Sequence, residues 1–462
     1  MTKINWEGKA VLILGAARQG LALAQFLASH GAVVTVNDSH QEAEMVSAKD
    51  GLKQYNIHWV FGAHPISLLD NQDMLCLSGG VPLTLPIVEE AAKRGMPISN
   101  DSEIFMESIR AKTVGITGSA GKTTTTTLVG RMAKDAFGEN AWIGGNIGNP
   151  LITQVDQIKA DDLVILELSS FQLEQMTHSP QIAAVLNITP NHLDRHGTLE
   201  AYSAAKQHIL DYQSAGDIAI LNREDMGSWK LKEAVKGNLV SFGFREPAET
   251  SWQGTYCAGK TVYYHELSGN ETEILSTDEI RLRGQHNIMN VLAAAAIGIS
   301  AGLSLQSIRH GVQNFNGVPH RLEFVRDWHG AAWYNDSIAT APERTMAAIN
   351  AFNEPLVLLL GGRDKNLPWQ ALAEKIRQRV DHVVLFGEAA DLIANALGNQ
   401  VSGQHPYSVD RTGSLEEAVQ LAAKRVQPGD VVLLSPGGTS YDAFKDFEER
   451  GEWYRKWVNE LS

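Results

Sequence analysis

"VGITGSAGKTTTTTLVG", Val114 to Gly130, decides how this 462-residue chain is read. The strand-like run Thr113 to Thr117 leads straight into Gly118-Ser119-Ala120-Gly121-Lys122-Thr123-Thr124, and a helix-forming stretch follows. Strand, glycine-rich turn and helix in that order make a phosphate cradle. The glycines let the backbone come close and turn several N–H groups inward, and the helix N-terminus adds partial positive charge. Lys122 would reach the β- and γ-phosphates of a nucleotide, and Thr123 would ligate magnesium. The usual motif has a further glycine five positions before Gly121, where Ile116 stands, so this is a shortened variant. The bland alternative is a glycine-rich turn whose threonines cap the helix. It explains the hydroxyls but not the lysine.

A phosphate loop needs a metal-binding carboxylate on a neighbouring strand. Glu167 ends the apolar run "LVILE", where a charged residue belongs at the ligand end of a parallel sheet. "NITPNHLDRHG" follows another buried run, Ala183 to Asn187, and carries His192 and Asp194; Asn146 lies in "GGNIGNP". A lone histidine is more often structural than a ligand, but this clustering at strand ends favours function. Upstream, strand-like Ala10 to Leu14 and Ala32 to Asn37 flank the helical run Leu21 to Ser29. Gly15-x-Ala17-x-x-Gly20 with Asp38 approximates a dinucleotide fingerprint. Nicotinamide binding, nucleotide-sugar binding and tight packing all remain open there.

Downstream, "GKTVYYHEL" and "EIRLRG" alternate as antiparallel edge strands do, and "GQHNIMNVLAAAAIGISAGL" reads as a helix with a polar opening. Four more strand-like runs, Ala331 to Asn335, Leu356 to Leu360, His382 to Phe386 and Val431 to Leu434, alternate with helical stretches. The pattern predicts an α/β chain of three domains. These are a Rossmann-like domain over 1–106, a central P-loop domain with a small antiparallel edge over 107–317, and a Rossmann-like domain over 318–462. Arg321 in "GVPHRLEFV" and Asp336 in "WYNDSIAT" sit in loops where a surface pair or a helix cap fits as well as a functional role.

A net charge of −14 argues against a general nucleic-acid or acidic-membrane surface, so an anionic ligand must be met by local cations. No apolar run reaches the length of a membrane span. The opening "MTKINWEGKAVLIL" lacks the form of a secretory signal, and Cys76 and Cys257 stand alone, so a reducing cytoplasm is expected.

Taken together, "GITGSAGKTTTT", "GGNIGNP", "ELSSFQLE", "LNITPNHLDRH", "YSAAKQHIL", "GQHNIMNVLAA", "GVPHRLE", "YNDSIAT", "GGRDKN" and "LLSPGGTSYDAFKDFEERG" resemble the Mur ligases of peptidoglycan synthesis, over nearly the whole chain. The family's P-loop has the short form seen here. "ELSSFQLE" and "SYDAFKDFEERG" point to the glutamate-adding branch. The resemblance implies an ATP- and magnesium-dependent ligase, expected as a cytoplasmic monomer, that joins glutamate to UDP-N-acetylmuramoyl-L-alanine through an acyl phosphate. It implies that Gly15, Ala16, Asp38, Ser39 and Gly79 hold the UDP part and that Asn146 orients the sugar substrate. ATP would lie on Gly118 to Thr124 with Asn287, Arg321 and Asp336. One magnesium would sit on Thr123 and Glu167, and a second on His192 and a carbamylated Lys206. Glutamate would meet Thr340, Lys365, Ser440 and Phe447. Lys122 would stabilise charge on the transferring phosphoryl group, and Arg321 or Lys365 would aid the attack of the amine. One position departs from the family: Ile338 stands where "NDSKAT" would place a lysine, so Arg344 or Arg363 must take that role or the amino acid is held differently. "SGGVP" likewise replaces "SPGIP". A nicotinamide-dependent oxidoreductase is the alternative from another class, and an L-glutamate-adding variant the alternative within this one.

Overall fold

The computed structural model describes residues 4–148, 150–246, 252–399 and 403–462, with the backbone but not the side chain of Asp194. The chain forms two compact units, one of Met1–Ile280 with Gln285–Asn314, the other of Arg281–Gly284 with Phe315–Ser462.

Among the described residues the first unit holds two sheets. β1 (Ala10–Leu14), β2 (Val33–Asp38), β3 (Ile57–Phe61), β4 (Met74–Leu77) and β5 (Ile98–Ser99) are parallel in the order β3-β2-β1-β4-β5. The helix after β1 starts at Arg18, three residues before the sequence pattern suggested. Gly20 allows this, because a Cβ there would stand 2.0 Å from the Gly15 carbonyl oxygen. Only a glycine lets the first turn lie against the strand end.

The second sheet runs β14-β13-β12-β11-β10-β9-β6-β8-β7. Its parallel part is β6 (Lys112–Thr117), β7 (Ala141–Gly145), β8 (Leu163–Glu167), β9 (Ile182–Val185), β10 (Ile218–Asn222) and β11 (Asn238–Phe242). β8 is buried along its whole length, as an unbroken apolar strand between two parallel neighbours must be. β12 (Gly254–Ala258), which pairs parallel with β11, then β13 (Thr261–His265) and β14 (Glu271–Ser276) add the antiparallel edge. The "EIRLRG" segment is not one of these strands. Thr277–Glu279 is a short 3-10 turn, and Arg281–Gly284 leaves to join the second unit. The third edge strand comes instead from "ETEILS". One apolar cluster runs through both sheets of this unit, from Val11, Ile13 and Leu27 to Val164, Leu166 and Ile209. Residue 106 falls inside the helix Asp101–Ser108. The Asn100 side chain at its start donates to the Gln172 carbonyl at 2.9 Å, and Gln172 donates to Ser102 Oγ at 2.7 Å.

Among the described residues the second unit has one sheet in the order β15-β16-β20-β17-β18-β19, built from β15 (Glu323–Trp328), β16 (Ala331–Asn335), β17 (Leu356–Gly361), β18 (His382–Phe386), β19 (Ser408–Arg411) and β20 (Val431–Gly437). All pairings are parallel except β15 with β16. The sheet is therefore mixed rather than purely parallel. β15 and β19, both at edges, escape sequence reading because charged residues interrupt their apolar pattern.

Candidate active site

The P-loop leaves the carboxyl end of β6 between the ends of β8 and β9, where an open parallel sheet places its ligands. Gly121 begins the helix Lys122–Phe137 with φ +82°, and a Cβ there would come within 2.4 Å of Asn290 Oδ1. No side chain caps the helix N-terminus, which leaves its first N–H groups for an anion. The loop is pinned from one side by the segment after β9. Ser119 N donates to the Asn187 carbonyl at 2.9 Å, and Ala120 N donates to Asn187 Oδ1 at 2.8 Å. Asn187 Nδ2 returns a bond to the Ala120 carbonyl at 3.1 Å, and Ser119 Oγ donates to the Thr189 carbonyl at 2.9 Å. On the other side Asn290, in the helix Gln285–Ala301, donates to Asn287 Oδ1 at 3.0 Å.

Two ammonium groups converge on one carbonyl. Lys122 Nζ donates to the Gly118 carbonyl at 2.8 Å and Lys206 Nζ to the same oxygen at 3.1 Å. Lys206 projects from the helix Leu199–Asp211, is buried, and also donates to Thr117 Oγ1 at 3.2 Å. Burial, then the Lys122 charge, push its pKa down to about 7, against a smaller opposing pull from Glu167. Glu167 is buried at the end of β8. Its Oε1 accepts from Asn146 Nδ2 at 3.2 Å, while its Oε2 has no hydrogen-bond partner. His192 begins a short helix in the left-handed region (φ +52°) and is exposed, with its ring edge-on to Phe171 at 5.2 Å. Tyr202 lies between these groups, 6.5 Å from the His192 ring centroid and 4.6 Å below Lys206 Nζ.

The glycine-rich turn after β1 is built differently. Asp38 ends β2 and reaches back to it, Oδ2 accepting from Ala16 N at 2.7 Å. Its Oδ1 accepts from His40 N at 3.0 Å and contacts the His40 ring at 2.7 Å. Burial would raise the Asp38 carboxyl; the bonds from His40 and Ala16 outweigh it and leave the pKa below its ordinary value. With both oxygens engaged, Asp38 shapes the loop. Ser39 is exposed beside it, and Gly79 lies in the turn after β4, whose Ser78 N donates to the Leu14 carbonyl at 2.9 Å. Arg195 donates to the Gly80 carbonyl at 2.9 Å, tying this turn to the segment that carries His192.

In the second unit Asp336, just past β16, is buried. It accepts from Leu322 N at 3.2 Å and Ser435 Oγ at 2.9 Å. Burial raises its pKa to about 7, although the Ser435 bond, the Leu322 bond and the charges of Arg321 and Arg344 oppose the shift. Lys365 Nζ donates to Thr340 Oγ1 at 3.4 Å. Ser440 is buried in the loop after β20, and Phe447 opens the helix Phe447–Glu460. Of the two arginines set against the Ile338 departure, Arg363 is held by Glu388 in a bidentate pair at 2.7 and 3.0 Å. Arg344 Nη1 donates to the Ile338 carbonyl at 3.2 Å.

Three family models match the chain: a Mur ligase MurD-like N-terminal domain at 9–100, the Mur ligase middle domain at 116–298, and a Mur ligase glutamate ligase domain at 320–438. The UDP-N-acetylmuramoylalanine--D-glutamate ligase of Symbiobacterium thermophilum is 39% identical over 462 residues, covering 100% of both chains. The chain belongs to the Mur ligase family. The relative of the same name from Pelotomaculum thermopropionicum is 37% identical, covering 99% of each chain. A crystal structure of the UDP-N-acetylmuramate-alanine ligase from Thermotoga maritima shares the fold at a TM-score of 0.57 and 19% identity, over 97% of this chain and 99% of that one.

In this Mur ligase the first unit brings Lys122, Lys206 and the P-loop together at one carbonyl, and the ends of β8 and β9 flank them. The second unit joins Thr340 to Lys365. Motif reading passed over Asn187, which holds the P-loop, Asn290, which packs against Gly121 and Thr125, and Tyr202, which lies between His192 and Lys206. Asn187 and Asn290 carry no local mark, since Ala120 and Thr125 lie 67 and 165 positions away; Tyr202 stands one turn before Lys206 on the same helix. Among the described residues no helix is long and apolar enough to cross a membrane.

Proposed function

We propose that this Mur ligase joins D-glutamate to the L-alanine carboxylate of UDP-N-acetylmuramoyl-L-alanine at the expense of ATP. The reading is carried by full-length likeness to enzymes named for that reaction, together with a P-loop crowded by two lysines. The domains are taken as 1–106, 107–317 and 318–462, working in the cytoplasm. UDP lies against Gly15, Ala16, Ser39 and Gly79, on the loop that Asp38 braces, and Asn146 orients the sugar.

Lys122 now rests on the Gly118 carbonyl. It moves to the γ-phosphate, where it offsets charge as the substrate carboxylate attacks phosphorus and ADP departs. The Gly121–Thr124 amides at the helix start hold the remaining phosphates, while Ser119 N and Ala120 N stay on Asn187 and fix the loop. The amine of glutamate then attacks the acyl phosphate carbonyl, and inorganic phosphate leaves. Asn287, Arg321 and Asp336 serve the nucleotide; Thr340, Lys365, Ser440 and Phe447 serve glutamate. Arg344, placed by the Ile338 carbonyl, supplies the cation that position 338 lacks.

The unpartnered Glu167 Oε2 and the Thr123 hydroxyl are hard oxygen donors and fit a magnesium ion. Magnesium, when bound, neutralises charge on the phosphates. The second site, on His192 and Lys206, fits a cation only if Lys206 changes. As an ammonium it donates to two oxygens and would repel a metal. Its lowered pKa supplies the neutral amine that adds to the carbon of CO2, loses a proton to water and becomes an anionic carbamate.

The test is phosphate release with UDP-N-acetylmuramoyl-L-alanine, ATP and magnesium, with D- or L-glutamate added. Release that depends on D-glutamate supports the reading. Release with L-glutamate alone points to the other branch, and none with either isomer defeats the ligase reading.

A further inference from the structure

Among the described residues Arg450 is the largest charged side chain that is completely buried, at 0% exposure, and no role falls to it from the motifs. It lies one turn into the helix that Phe447 opens. Its guanidinium reaches loops distant in sequence. Nε donates to Ser337 Oγ at 3.0 Å, Nη2 to the Ser337 carbonyl at 2.9 Å and Nη1 to the Gly438 carbonyl at 3.2 Å. Ser337 Oγ in turn donates to the Phe447 carbonyl at 2.8 Å, closing a ring of bonds. Gly362 packs on the same group: a Cβ there would stand 2.9 Å from Arg450 Nη1 and 2.2 Å from the Thr439 carbonyl. Arg363 and Thr439 exchange backbone bonds at 2.9 and 2.8 Å across this contact. Asp442 supplies a nearby opposite charge.

Three loops therefore meet on one cation, those after β16, β17 and β20. They are the loops that carry Thr340, Lys365 and Ser440, and the helix end that bears Phe447 is bonded into the same ring. A guanidinium suits the task because its planar fork serves several acceptors in fixed directions, which an ammonium cannot do. A side chain needed only to fill the core would be cheaper as an apolar group.

We propose that Arg450 is the positioning residue of the glutamate pocket, fixing the spacing of its three loops without touching the amino acid. This rests on the ligase reading above. It predicts that the defect from losing Arg450 falls on glutamate capture and spares acyl-phosphate formation.

The test compares wild type with Arg450→Met, Arg450→Lys and Ser337→Ala. The KM values for D-glutamate, ATP and UDP-N-acetylmuramoyl-L-alanine are measured. Acyl phosphate formed without glutamate is trapped with hydroxylamine. Arg450→Met is expected to raise the KM for D-glutamate roughly tenfold or more, with the other two KM values and the hydroxamate yield within about twofold of wild type. Arg450→Lys falls between, and Ser337→Ala gives about a threefold rise, having lost the Oγ that accepts from Arg450 and donates to the Phe447 carbonyl. An unchanged KM for D-glutamate, an equal rise in all three, or a hydroxamate yield that falls in step with turnover would overturn the proposal. If Arg450→Met does not fold, Arg450→Lys and Ser337→Ala decide by the same criteria. Wild type with no D-glutamate-dependent turnover defeats the ligase reading itself. Wild-type turnover with unaltered variants defeats only the role of Arg450.

Discussion

The first unit contains the same local device twice: a buried parallel strand, a glycine-rich turn and a helix whose N-terminus no side chain caps. The two turns differ in the charge that organises them. After β1 it is an anion, as Asp38 accepts from Ala16 N and from His40. After β6 it is a pair of cations, Lys122 and Lys206, sharing the Gly118 carbonyl. Asp38 turns its charge on the loop's own Ala16 and His40 donors, which braces the loop, whereas the crowded cations after β6 attract a triphosphate. Two strand–turn–helix segments are thus assigned to different ligands by the side chains that organise them, and their helix starts differ as well, extended at Ala17 and left-handed at Gly121. This is why the fingerprint after β1 could not be read alone.

The strongest way to break this contrast is Lys122→Ala. Turnover is expected to fall roughly a hundredfold or more, because a cation that acts on the transferring phosphoryl group is lost. The side chain rests on a loop carbonyl rather than in the core, so the melting temperature should stay within a few degrees of wild type. Near-normal turnover in a folded variant would mean that the loop after β6 holds no triphosphate.

Lys206 gives the next largest effect and has a pH signature. Its amine is neutral above about 7, so carbamate formation and turnover should rise as pH increases through that value. Bicarbonate should raise the activity of CO2-depleted enzyme. Lys206→Arg, which cannot form the carbamate, should lower turnover by about 10- to 100-fold and remove the bicarbonate response. A bicarbonate response that survives in the arginine variant would exclude Lys206 as its source.

Asp38→Asn examines the other loop. The amide keeps the shape and loses the charge, and one atom facing the Ala16 or His40 N–H groups turns from acceptor to donor. The KM for the UDP substrate should rise about tenfold, from a lost charge-assisted hydrogen bond, with the KM for ATP unchanged. If the ATP value moves instead, the two loops have been assigned the wrong way round.

What the sequence disclosed divides along the range of the interactions. The P-loop, β8 with Glu167, and the helix Gln285–Ala301 are legible because strand, turn and helix signals are local. Asn187 acts on Ala120 across 67 positions, and Asn290 approaches Thr125 across 165, so neither carries a local mark. "EIRLRG" deceives because alternating residues have the period of a strand, while tertiary contacts draw Arg281–Gly284 into the second unit. Arg450 in "FEERG" has the look of a solvent-facing helix residue; the loop of Ser337, 113 positions away, contributes to its burial.

The smallest expected effect lies at His40, and it separates the two loops by the direction of their pH dependence. The hydrogen bond and charge of Asp38 raise the His40 pKa above 6.5. A raised histidine pKa means that protonation favours the folded contact: its contribution is complete below 6.5 and is lost as pH rises through the raised value. The ring is exposed and solvent screens the pair, so the effect on binding is modest. The KM for the UDP substrate should rise about twofold between pH 6 and pH 8 in wild type and stay flat in His40→Gln. Binding at this loop therefore weakens as pH rises while turnover through Lys206 strengthens, because one loop gains from a proton and the other from losing one. A pH-dependent KM that persists in His40→Gln would place the titrating group elsewhere and leave Asp38 to brace the loop through Ala16 and the His40 backbone alone.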